Sequence, residues 1–151
     1  YLEFLEERLF SRFRDPRTRG GRRLYFARRD DRHRRIVNAD ELNMALERHG
    51  FETVGLEHLS AADQFALAAE ADVVVAPFGA GLTHILACPI SCKVIELTHH
   101  QAVRPLFPIL AGLRGQAFHR ITGQPAGLAT AGLPMHDDFE IPVAALEPLL
   151  E

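Results

Sequence analysis

The chain has no tryptophan, only two tyrosines and two methionines, and a single lysine, Lys93, among its 17 basic residues. Its two cysteines, Cys88 and Cys92, spell out no disulfide framework, which excludes the small stapled scaffolds and fits a reducing compartment. No apolar stretch reaches the roughly 18 residues of a membrane span, and the opening residues lack a signal-peptide pattern. The expectation is therefore a cytoplasmic chain, at most membrane-peripheral as part of a longer protein. There is no internal repeat, no G-x-G-x-x-G, no P-loop lysine and no D-x-D-like metal motif, so dinucleotide and NTPase readings are weak and metal independence is expected. His84, Cys88 and Cys92, with His99 and His100 nearby, offer zinc-type donors. The short-spaced ligand pairs of a zinc site are missing, however, and two buried thiols is the plainer reading.

What is present is 151 residues, 47% of them hydrophobic, enough for one well-buried core and too few for two full domains. Residues 1–151 read as one Rossmann-like unit, with a leading helix and basic linker over 1–21 and an α/β core over 22–151. The chain opens on Tyr1 inside an amphipathic segment, so it is expected to be the C-terminal part of a longer protein. Net charge is -3 but unevenly spread: residues 1–35 hold 12 of the 17 basic residues and only six of the 20 acids. Arginine's planar fork suits phosphate, although a solvated basic face is the alternative. The acidic remainder, and the lack of aromatics among the arginines, argue against nucleic acid as a partner.

The order of elements is legible from periodicity and punctuation. "YLEFLEERLFSRF" places Leu2, Leu5, Leu9 and Phe13 at helical spacing, and "RDPRTRGG" breaks it. "RLYFA" reads as a strand followed by an arginine-laden loop. Asn38 is expected to cap a helix, with Glu41 three residues on and Gly50 closing it. "FETVGL" reads as a strand, Ser60 and Asp63 open the helix "AADQFALAAEA", and "DVVVAP" is a nearly unbroken apolar run, as in a central strand covered on both faces. A short helix around Leu82 to Ala87, the strand "KVIEL", a helix from Ala102 to Leu113 and the strand "QAFHRI" follow. Thr122 to Asp138 reads as an irregular loop, and Pro142 starts a final helix ending near Leu150. Alternation at this spacing predicts a doubly wound, mostly parallel α/β sheet with helices on both faces, which binds ligands at the carboxyl ends of its strands.

The segment "PFGAG" lies between a central strand and a helix. Glycines at 79 and 81 would allow positive backbone angles and let an anion, of which a diphosphate is the expected one, approach the amides, with the following helix adding its positive end. The segments "RRLYFARRDDRHRRIVNADEL", "GFETVGLEHLSAADQFALAAEADVVVAPFGAGLTHILACPISCKVIEL" and "DDFEIPVAALEPLL" together resemble, over roughly residues 22 to 150, the C-terminal half of glycosyltransferase family 61, whose members include bacterial capsular-polysaccharide-type enzymes. The resemblance implies the donor half of a two-domain GT-B-type inverting enzyme. Such an enzyme moves a sugar from a nucleotide diphosphate donor to a hydroxyl of a glycan or other acceptor, with the acceptor site and base in an N-terminal domain. It places Arg28, Arg35 and Asn38, the loop Gly79, Ala80, Gly81, Leu82 and Thr83, and Glu96 around the donor. Asn38 is also read as a helix cap, and Glu96 either as a ribose acceptor or as a salt-bridge partner. The chain departs from the family at Phe78, where a histidine is usual, at His84, where an asparagine is usual, and at Ala39, where a glutamate is usual. His84 is the candidate to take over stabilisation of the leaving group, with a half-buried helix histidine as the alternative. The same departures open a second reading, a catalytically degenerate binding or assembly module of a polysaccharide system.

Overall fold

The computed structural model describes Phe4, Arg8 and residues 20–28, 34–127 and 137–151. The helix and breaker expected before residue 20, residues 29–33 of the arginine-laden loop, and residues 128–136 of the glycine-rich stretch lie outside the described residues. Among the described residues six strands, β1 (Arg22–Phe26), β2 (Glu52–Val54), β3 (Ala71–Pro77), β4 (Lys93–His99), β5 (Ala117–Pro125) and β6 (Phe139–Glu140), form one sheet in the order β2-β1-β3-β4-β5-β6. The first five are parallel and β6 runs antiparallel to β5. The expected doubly wound α/β sheet is what the chain forms.

Among the described residues four α-helices flank it: α1 (Ala39–Arg48), α2 (Ala61–Ala68), α3 (Leu106–Arg114) and α4 (Val143–Leu146). Leu42 and Leu46 of α1 and Leu146 of α4 pack with Tyr25, Val75, Ile95 and Leu97 on one face. On the other face Ala68 of α2, Leu82 and Ile85 of the 3₁₀ segment Ala80–Leu86, and Phe107 of α3 cover Leu24, Phe26, Val74, Ala76 and Val94. Both faces of β3 are therefore covered, which is why its valines run unbroken. Among the described residues no helix is long and apolar enough to cross a membrane.

Local chemistry explains the ends of the elements. Ser60 caps α2 by accepting from the Asp63 amide while its hydroxyl donates to the Asp63 carboxylate. After α1, Gly50 takes φ 75°; its amide reaches Glu47 O and that of Phe51 reaches Leu46 O, the paired bonds that close a helix through a left-handed residue. Helix α3 begins at Leu106 rather than Ala102, because a proline at 105 biases Arg104 away from helical angles. Both β4 and β5 run further than their apolar cores suggest, pairing through Thr98 with Thr122 and His99 with Gly123.

Gly123 has no side chain for a steric reason. A Cβ there would stand 2.8 Å from Glu140 O and closer still to the Phe139 ring. Gly123→Ala is expected to cost about 1–3 kcal/mol through overpacking, read by urea unfolding. A loss below about 0.5 kcal/mol, the scale of a neutral surface change, would show that β6 yields freely.

Candidate functional site

The chain leaves β1 for β2 on one side and returns past β1 to β3, so the strand order reverses between β1 and β3. At such a point consecutive connections depart to opposite faces and leave a crevice at the carboxyl edge. Here β1 leads toward α1 on one face, and β3 leads into Ala80–Leu86 on the other. A cleft of about 170 Å³ opens at this edge, lined by Tyr25, Arg28, Arg34, Arg35, Ile36, Ala39 and Pro77. A hollow of about 10 Å³ shares Arg28, Arg34 and Pro77 with it and is otherwise walled by Phe78, Leu97, His99, Ala102 and Phe139.

The arginines of the basic end divide by position. At the amino end of β1, Arg22 is tied to Glu52 and Glu70, and Arg23 lies over the Phe51 ring at 4.9 Å. Arg28, Arg34 and Arg35 gather at the opposite edge around the cleft. Arg35 donates from its backbone amide to Asp138 Oδ1 at 2.9 Å and from its guanidinium to Oδ2 at 2.6 Å. Arg34 has φ 58°, a left-handed angle that costs a non-glycine residue roughly 1–2 kcal/mol, and its guanidinium lies 5.9 Å from the Phe78 ring centroid. Phe78 cannot donate a hydrogen bond, but its ring face supports a cation beside the cleft. Tyr25 completes the wall; burial pushes its phenol up to about 12, so it stays a neutral hydroxyl at any working pH.

Asn38 corrects one expectation. It stands at the N-cap of α1 but makes no side-chain cap bond. Its Oδ1 accepts from the Ile141 amide at 2.9 Å and its Nδ2 donates to Ile141 O at 2.8 Å and to Glu41. With the bridge between Ile36 and Phe139, these bonds fasten the segment after β1 to β6 and so hold Arg34 and Arg35 in place. A partner 103 positions away leaves no local signal in the sequence.

The glycine turn corrects a second. Neither Gly79 nor Gly81 takes a left-handed angle; Gly79 is extended at φ 162° and ψ -174°. The helix that follows is a seven-residue 3₁₀ segment rather than an α-helix, so only a short row of peptide dipoles stands behind the turn. What remains is openness and amides. A Cβ on Gly79 would meet only Pro77 O at 4.0 Å, and among the described residues the amides of Gly79, Ala80 and Gly81 donate to no protein acceptor. The Leu82 amide donates to Gly79 O and its side chain is buried in the core, while the exposed Thr83 donates its hydroxyl proton to Ala80 O at 2.6 Å. His84 donates from Nδ1 to Gly81 O at 2.9 Å, with its ring 5.1 Å from that of Phe65 and 6.3 Å from that of Phe26. It is a half-buried residue that braces the turn from within.

Because β4 continues to His99, Glu96 lies three residues inside the strand rather than at its end. It is fully buried, accepts from Arg120 at 3.0 and 2.8 Å, and has its pKa raised by burial against the opposing pull of Arg120. The salt-bridge alternative for Glu96 is thus what the structure contains. Arg34 and His99, both on the walls of the hollow, are not among the donor-binding residues expected from the sequence; the nearest signal was His99 as a zinc-type donor. Among the described residues no three of His, Cys, Asp and Glu converge as a metal cluster would, and Cys88 and Cys92 are buried thiols.

Comparison with known proteins gives the chain its relatives. The family model described as Glycosyltransferase 61 matches residues 1–95, more than half of the chain. An "EGF domain-specific O-linked N-acetylglucosamine transferase" from Drosophila melanogaster is 30% identical over 118 residues, covering 76% of this chain and 22% of the relative. A "Beta-1,2-xylosyltransferase" from Arabidopsis thaliana is 33% identical over 64 residues, 42% of this chain and 12% of the relative. "Beta-1,2-xylosyltransferase RCN11" from Oryza sativa subsp. japonica is 26% identical over 123 residues, 70% and 23% respectively. The chain thus spans less than a quarter of the length of these relatives, which come from an animal and two plants rather than from bacteria.

Proposed function

Because the chain belongs to the glycosyltransferase 61 family, we propose that its carboxyl-edge cleft binds the diphosphate of a nucleotide-sugar donor during transfer of the sugar to a hydroxyl acceptor. The supporting observation is the gathering of Arg28, Arg34 and Arg35 around the cleft at the switch between β1 and β3; Pro77 on its wall leads within two residues into the turn whose amides at Gly79, Ala80 and Gly81 have no acceptor among the described residues. In this reading the acceptor site and the base come from the rest of a longer protein. The acceptor oxygen attacks the anomeric carbon as the bond to the nucleoside diphosphate breaks. Guanidinium groups and amides that grip the departing oxygens more strongly as charge grows lower the barrier, with no metal needed for that charge.

Calorimetric titration with UDP, GDP and CDP, in EDTA and in magnesium, tests the reading: at least one is expected to bind, and none binding at millimolar concentration would end it. Arg28→Ala is expected to weaken the diphosphate about tenfold, the scale of one charge-assisted hydrogen bond, and to leave the parent nucleoside unchanged. Equal losses for both would move Arg28 away from the phosphates. The internal bonding of His84, with Phe78 in place of the usual histidine, favours one second reading, a module that binds without transferring. Sugar transfer or donor hydrolysis by the longer protein would dismiss it.

A further inference from the structure

We propose that His99 is a direct ligand of the donor diphosphate, giving its Nε2–H to one phosphate oxygen in the hollow at the carboxyl end of β4, an inference that rests on the donor site proposed above. The Gln101 amide donates to His99 Nδ1 at 3.1 Å, so Nδ1 is the acceptor and the neutral ring carries its proton on Nε2. The residue is only 2% exposed, and Nε2 is buried with no hydrogen-bond partner among the described residues. A buried donor left unpaired is costly and marks a place where something outside the chain is expected.

The hollow is about 10 Å³, near the roughly 10–15 Å³ that one oxygen-sized probe needs. Its polar side chains, Arg28, Arg34 and His99, are all hydrogen-bond donors, which suits an oxygen that only accepts. A phosphate oxygen meets that demand, whereas a sugar hydroxyl would leave its own proton unplaced. Burial first, then the nearby His100 and Arg34, lower the His99 pKa against the opposing pull of Asp137, so the ring acts as a neutral donor rather than as a further cation. Phe139 packs edge-on against it at 5.6 Å and fixes its orientation.

Titration of the full chain with UDP, GDP and CDP, with the parent nucleosides as controls, provides the test. His99→Phe is expected to weaken diphosphate binding about tenfold while nucleoside binding stays as it was, and His99→Gln, which keeps an N–H, is expected to recover part of the loss. Long-range ¹H–¹⁵N spectra of the unsubstituted protein are expected to show the Nε2-protonated ring, with its Hε2 resonance moving as the diphosphate saturates. That measurement decides the matter even if the phenylalanine variant does not fold. If the diphosphate binds and Arg28→Ala weakens it, but the His99 signal stays still and His99→Phe binds normally, the hollow holds only water and this inference falls alone. If no nucleoside diphosphate binds, the donor reading falls and takes this inference with it.

Discussion

Arg120→Ala is expected to remove about 3–5 kcal/mol of stability at neutral pH, the scale of breaking a buried ion pair from one side. Arg120 gives two bonds to Glu96 Oε2 and a third, at 2.6 Å, to Arg104 O. Glu96 is fully buried and its Oε1 has no hydrogen-bond partner among the described residues, so the truncation strands a carboxylate in the core. The pH dependence follows from the causes of the shift. Burial raises the Glu96 pKa and Arg120 lowers it, so without Arg120 only the raising cause is left. A carboxyl whose folded pKa lies above its unfolded value contributes stability that is full below the unfolded pKa and lost as pH rises through the folded one. The variant is therefore weakest at neutral and alkaline pH and recovers on acidification through its own raised pKa. Urea unfolding at pH 5 and pH 8 reads both effects. A loss under about 1 kcal/mol, the worth of an exposed pair, or the same loss at both pH values would remove the argument. Glu96→Leu with Arg120→Met is expected to fold and to regain most of the stability, since an apolar pair of similar volume has no charge to bury.

The same pair shows where reading the sequence works and where it stops. Periodicity, caps and breakers located the elements because they act within a few residues: Ser60 and Asp63, Gly50, and the valine run of β3 are local signals. The doubly wound sheet followed from their alternation, and the candidate edge followed from the sheet. What failed was set by distant partners. The apolar run in β4 ends at Leu97, yet pairing with β5 carries the strand to His99, which moves Glu96 into the core and brings a histidine to the rim. The Arg120 that claims Glu96 is 24 positions away, and the Ile141 that draws Asn38 from its capping role is 103 away. At Gly79 the structure shows open space rather than the left-handed angle expected from the sequence, because an extended backbone also tolerates glycine.

Gly79→Val is expected to leave the fold within about 0.5 kcal/mol of its original stability, as for a surface change that breaks no special feature, while weakening nucleoside diphosphate binding about a hundredfold. The two halves of that expectation have separate causes. The backbone is extended, and a Cβ at this position meets only Pro77 O at 4.0 Å, so the first side-chain atom is accommodated without a clash. Among the described residues the amides of Gly79, Ala80 and Gly81 have no acceptor, and a hydrogen bond from such an amide to a charged oxygen is worth about 1.5–3 kcal/mol. An isopropyl group standing over them shields at least one and displaces the ligand from the next, which together reach the hundredfold scale. Gly81 would not separate the causes, because a Cβ there already crowds Leu56 Cδ1 at 3.3 Å. Thermal unfolding beside UDP calorimetry reads both halves in one preparation. Undiminished affinity would show that these amides do not serve the diphosphate, and a large loss of stability would show that the glycine serves the fold. Only intact stability with lost affinity is consistent with a turn kept bare so that a ligand can reach its backbone.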